Sequence, residues 1–135
     1  MIQRIQSLYL VLAGGFLVLF AAFTDRWAVG LPETWAWVEP FGIGIAALAA
    51  VVAFAAVALY KDRARQRTLI VVAQVVTLLT VATAVAWLFL GADETGAVGR
   101  YVIALFPVLA YVTLRLAQRG VDKDIALVRS MDRLR

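Results

Sequence analysis

The chain has no cysteine and no histidine. Lacking cysteine, it can form no disulfide, thiol nucleophile or thiolate metal site. Lacking histidine, it offers no imidazole to a haem or a metal, and no base for Ser–His or Cys–His nucleophile chemistry. A four-helix b-type cytochrome or a thiol-based quinone-linked oxidoreductase cannot be built from this chain alone. Charge is scarce too. Charged residues make up 16% of the 135 positions, and they fall in clumps separated by long uncharged runs.

Apolar residues are what the sequence has in excess. They account for 64% of the chain, against roughly 45–50% in soluble domains. A chain of this length forms one domain, and its core would be too small to hide so much apolar surface from water. Clumped charge between apolar runs is the pattern that a bilayer selects.

A span needs about 20 apolar residues at 1.5 Å rise to cross about 30 Å of hydrocarbon. Four runs qualify, at about 5–23, 40–60, 68–90 and 98–118. The fourth has a short uncharged centre, Tyr101 to Leu114, so Arg100 and Arg115 must reach out to the two interfaces. The first follows Arg4, as a signal peptide would. Its apolar stretch is too long for one and no small-residue cleavage site follows, so it reads as a retained helix.

Lysine and arginine divide unequally between the two sides. One side holds Arg4, Lys61, Arg63, Arg65, Arg67, Arg115, Arg119, Lys123, Arg129, Arg133 and Arg135; the other holds Arg26 and Arg100. Acids partly offset the first set (Asp62, Asp122, Asp124, Asp132) and outnumber the second (Asp25, Glu33, Glu39, Asp93, Glu94). The net is +7 against −3 by count of those residues. The rule that cytoplasmic loops are basic places the first side, with both termini, in the cytoplasm.

Within the spans the second is rich in small residues. Gly42, Ala46 and Ala50 form a small-xxx-small row continued by Ala53, suited to close approach by a neighbouring helix of this chain or by a partner chain, the neighbour being expected. Gly14 and Gly15 would admit similar contact, with the second helix expected there. Gln74, Thr77, Thr80 and Thr83 recur every three residues. Such a row drifts about 60° backwards per step, so its ends face opposite ways and make no single polar pathway. The threonines are expected to bond back to the preceding turn, and Gln74 to bridge to another helix. Pro107 predicts a bend in the fourth span. Glu39, beside Pro40, suits a helix N-terminus better than an ion pathway. Trp27, Trp35 and Trp37 suit anchoring at the water–lipid boundary, the alternative being an aromatic recognition patch with Asp25, Arg26 and Glu33.

After Gly120, which suits the end of a helix, Asp122 could cap a further segment. On that segment Val121, Ile125, Leu127, Val128, Met131 and Leu134 fill one half of the helical wheel, with Asp124 and Arg135 intruding and Asp132 at its border. The expected fold is therefore an all-α, integral membrane four-helix up-down bundle over residues 1–119, with a short C-terminal cytoplasmic amphipathic helix over 120–135. That tail would lie on the membrane, on the bundle or on a partner.

The opening MIQRIQSLYLVLA and the closing VDKDIALVRSMDRLR, together with the four-span layout, resemble DUF4293, a bacterial membrane family of unknown function. The resemblance implies a four-span membrane protein with no established activity, and it carries over no catalytic residue. Its most recognisable positions here are Gln3, Arg4, Gln6, Arg129, Ser130, Asp132, Arg133 and Arg135, all expected at the cytoplasmic face.

Arg4, Gln6, Arg129, Asp132 and Arg133 are accordingly the candidate cytoplasmic contact residues, and Lys61, Arg63, Arg65 and Arg67 the candidate contacts to lipid headgroups. No catalytic, cofactor-binding or metal-binding residue is expected. The expected role is that of a non-enzymatic accessory or structural subunit of a larger assembly in a bacterial inner membrane. Its partners would be membrane lipids and a membrane protein, with a homo-oligomer open and nucleic acid not expected. The alternative is a small oligomeric transporter or channel, against which stands the absence of any acid or base near the middle of a span.

Overall fold

The computed structural model describes residues 2–27, 31–90 and 97–135. The side chains of Gln3, Asp25, Arg26 and Trp27, and the residues Asp93 and Glu94, lie outside what it describes. Four helices are present: α1 (Ile2–Trp27), α2 (Val38–Ala58), α3 (Arg63–Leu90) and α4 (Ala97–Arg133). All four are long and apolar enough to cross a membrane. A helix satisfies its own backbone groups, and this is what a segment surrounded by hydrocarbon requires.

Local chemistry sets several boundaries. α1 and α2 are joined through a 3₁₀ turn, Glu33–Trp35, closed by Trp35 N–H donating to the Pro32 carbonyl at 2.8 Å. Asp62 caps α3: its Oδ1 accepts from the Arg65 N–H at 3.1 Å and its carbonyl from the Gln66 N–H at 2.9 Å. Glu39 lies in the first turn of α2, where a carboxylate complements the helix dipole. α4 continues as helix through Pro107, which is fully buried.

The helices pack up-down in a square, α1 against α2 and α4, and α3 against α2 and α4. The small row of α2 faces inward, with Gly42, Ala46, Ala49, Ala50, Ala53 and Ala56 all buried. Three apolar layers fill the interior. Leu10, Ala53, Ile70, Leu114 and Val121 lie in one, Leu17, Ala49, Ala50 and Ala110 in the next, and Phe20, Ala46, Trp87 and Ile103 in the third. Gly14 meets α2 as expected: a Cβ there would lie 2.5 Å from the Phe54 ring. Gly15 has open space beside it.

The outside of the bundle is apolar as well. Leu48, Val51, Val75, Leu79 and Leu105 are each more than half exposed, at 54% or above. Soluble monomers rarely leave contiguous apolar patches beyond a few hundred Å², and here the apolar surface encircles four helices. Two of the three threonines bond back as expected, Thr80 to the Val76 carbonyl and Thr83 to that of Leu79. Thr77 does not; its hydroxyl is enclosed without a hydrogen-bond partner.

The expectation of a separate short tail helix is corrected. α4 runs 37 residues, from Ala97 to Arg133, without a break at Gly120, and its span-length segment extends to Arg133. Gly120 does not end a helix here. A Cβ at that position would sit 2.7 Å from Gln6 Cγ, so the glycine lets α1 lie against α4. Asp122 accordingly caps no new helix; it is a mid-helix residue paired with Arg67.

Candidate contact site at the basic end

The ends of α1 and α4 and the start of α3 meet where the basic residues cluster, and polar side chains join them. Gln6 is 3% exposed and donates from Nε2 to Asp124 Oδ2 at 2.9 Å. Asp124 is itself buried, so the amide takes the place of water at one oxygen of a carboxylate that would otherwise be desolvated without compensation. Two residues earlier in α4, Asp122 accepts at Oδ1 from Arg67 Nε at 2.7 Å, tying α3 to α4 at a half-exposed site. Deeper in the bundle Gln74 Nε2 donates to Gln118 Oε1 at 2.9 Å, and Arg115 Nη1 reaches the same oxygen at 3.2 Å. The expectation that Gln74 bridges to another helix is met. The drift of its row has a structural counterpart: Gln74 meets α4, while Thr83, nine residues on, packs against Gly42 of α2.

The predicted contact residues separate into two groups. Gln6 is inside the site as one of its central partners. Arg4 is exposed on α1, and Arg129, Asp132 and Arg133 are exposed on the last turns of α4. The ion pairs among the described residues are Arg65–Asp62 and Arg67–Asp122, so Arg129, Asp132 and Arg133 take part in none of them. Of the candidate headgroup residues, Arg63 and Arg67 line a groove between α3 and α4, and Arg65 turns to Asp62. Lys61 lies near the Tyr60 ring, 5.7 Å from its centroid.

Sequence reasoning missed Asp124 and Gln118 as partners. A signal for Asp124 was available, because an acid intruding on the apolar half of a helical wheel needs a buried partner. Gln118, a polar residue close to an interface, gave none.

One row of α4 stands out. Gly120, Asp124, Leu127 and Met131, with Leu134 in the turn just past the end of the helix, repeat at i, i+4, i+7, i+11 and i+14, the spacing of a helix–helix seam. Gln6 of α1 covers the first two. The remainder is uncovered among the described residues, with Leu127 54%, Met131 68% and Leu134 89% exposed. At the opposite end Trp35, Trp37 and Phe41 form an exposed aromatic chain, with successive ring centroids 6.0 and 5.8 Å apart. Among the described residues no cluster of acids, the only metal-ligating charges in the chain, gathers to hold a metal ion.

Comparison with curated proteins and with solved structures returns no match. The sequence itself, matched over residues 2–134, belongs to the family described as "Domain of unknown function (DUF4293)".

Proposed function

We propose that the protein is a non-enzymatic, multi-pass component of a bacterial inner membrane that serves as an accessory subunit of a larger assembly. In this reading both termini lie in the cytoplasm, and α4 presents its end to a protein partner. The observation that carries it is the uncovered seam of Leu127, Met131 and Leu134 on a helix whose preceding turn is locked to α1 by Gln6 and Asp124.

Continuity of the helix matters here. At 1.5 Å per residue, α4 is roughly 55 Å long, against about 30 Å of hydrocarbon. If Arg100 marks one boundary, the hydrocarbon is crossed near Gly120, and the following turns carry the apolar seam through the headgroup layer, with Met131 and Leu134 in the water beyond it. An apolar seam in water calls for a second helix. Arg129, Arg133 and Arg135 flank it with a single acid, Asp132. Parallel self-pairing would therefore bring like charges together, so the partner expected is an amphipathic helix with acidic flanks.

Purification from native membranes in gentle detergent or nanodiscs, with mass spectrometry of what co-migrates, tests this. A stoichiometric protein partner that is lost on Met131→Lys supports the subunit role. A homo-oligomer alone, unaffected by that change, would replace it with the transport alternative. Orientation is tested separately by single cysteines at Ala64 and Thr34, both exposed. An impermeant thiol reagent outside intact cells should label Thr34→Cys and leave Ala64→Cys unlabelled.

A further inference from the structure

The groove between the start of α3 and the end of α4 has a volume of about 750 Å³ and is lined by Arg63, Ala64, Arg67, Thr68, Asp122, Ile125, Ala126, Val128 and Arg129. Its walls are unlike. Small residues, Ala64 and Ala126, leave the space between the helices unfilled, Ile125 and Val128 give an apolar floor, and guanidinium groups stand on both sides. Arg67 is already matched by Asp122 at 2.7 Å. Arg63 and Arg129 face the same space from opposite helices, with no carboxylate at ion-pair distance among the described residues.

We propose that this groove binds the headgroup of an anionic phospholipid, its phosphate held between Arg63 and Arg129 and its glycerol region against Ile125 and Val128. Charge complementarity selects an anion, since three arginines oppose one aspartate. Depth selects a lipid over a soluble ligand or an acidic protein segment. Thr68 opens the uncharged run that continues to Leu90, so the groove sits at the level where that run would meet the headgroup layer. The apolar floor also suits a molecule whose phosphate is attached to hydrocarbon. Arginine forks are well matched to phosphate oxygens. This inference assigns the site within the basic end and does not depend on the partner proposed for the α4 seam.

The test uses the full chain in nanodiscs of phosphatidylcholine containing a minority of phosphatidylglycerol, with retained lipid read by native mass spectrometry. Phosphatidylglycerol should be retained over phosphatidylcholine. The pair Arg63→Gln and Arg129→Gln should lower that retention roughly ten-fold or more, by the usual worth of two basic groups at a membrane surface. The pair Arg119→Gln and Lys123→Gln removes the same charge from exposed positions of the basic end outside the groove and should leave most of the retention. Arg63→Lys with Arg129→Lys should restore part of it, and all variants should unfold at the parent temperature in phosphatidylcholine alone. Equal losses from the two glutamine pairs would mean diffuse attraction and overturn the site, as would no preference between the lipids. Displacement of the lipid by millimolar inorganic phosphate would assign the groove to a soluble anion instead. Loss of a co-purifying protein with the Arg63 and Arg129 changes, at unchanged lipid retention, would assign it to an acidic protein segment.

Discussion

The two ends of the bundle are held by different physics. At the basic end, polar side chains reach between helices: Gln6 to Asp124, Arg67 to Asp122, Gln74 to Gln118. At the acidic end the contacts between helices are apolar and aromatic, with Phe20, Ala46, Trp87 and Ile103 in one cluster. One side-chain hydrogen bond there, from Thr24 to the Phe20 carbonyl at 2.6 Å, stays within its own helix. Apolar packing tolerates sliding by a turn far better than a paired amide and carboxylate do, because a slip leaves buried polar groups without partners. The basic end thus sets the register of α1, α3 and α4, and the acidic end supplies bulk.

The largest way to break this contrast is Gln6→Leu. It leaves the Asp124 carboxylate buried without its donor, and leaving a buried charged acceptor unsatisfied costs about 3 kcal/mol. Unfolding in detergent should show that loss. Gln6→Leu combined with Asp124→Leu should recover much of it; a double variant no better than the single would deny the coupling.

Ala46→Leu or Ala50→Leu comes next, at about 1–3 kcal/mol from overpacking the acidic half and middle of the bundle. Ala47→Leu, on the exposed face, should be silent in the same melt. If all three behave alike, the small row of α2 is not a packing surface.

Two glycines sharpen the comparison at smaller scale. Alanine gains about 1 kcal/mol over glycine inside a helix. At Gly44, where nothing lies within 4 Å of a new Cβ, Gly44→Ala should stabilise by up to that amount. At Gly120 the same methyl meets Gln6 Cγ at 2.7 Å and disturbs the bond to Asp124. Gly120→Ala should therefore lower stability, by about 1 kcal/mol after the propensity gain is counted. A stabilised Gly120→Ala would show that α1 does not need that approach. Arg67→Gln should have the smallest effect, about 0–1 kcal/mol, since its ion pair is half exposed.

Hydrogen exchange addresses the two parts of the α4 extension. Amides of Val121 to Ile125, packed on the bundle, should exchange slowly in the isolated protein, and those of Leu127 to Arg133 should slow only when a partner is bound. Fast exchange beginning at Gly120 would restore a separate tail.

Much of this was legible beforehand. Four apolar runs gave four helices, and the small-residue row at Gly42, Ala46 and Ala50 gave the buried face of α2, because close approach needs small side chains. Gly120 was misleading for a physical reason. Glycine suits both a helix stop and a helix contact, and only the position of Gln6 separates the two.

The sequence by itself determined the number of helices, the unequal charge of the two ends and the exclusion of thiol and imidazole chemistry, because composition and hydropathy are properties of the chain taken locally; it did not determine the length of α4, which runs on to Arg133. Tertiary structure decided which polar groups meet. The pairing of Gln6 with Asp124 across 118 residues, the groove between Arg63 and Arg129, and the seam left uncovered beyond Asp124 all depend on how helices are set side by side. Distance along the chain carries no information about that arrangement; packing does.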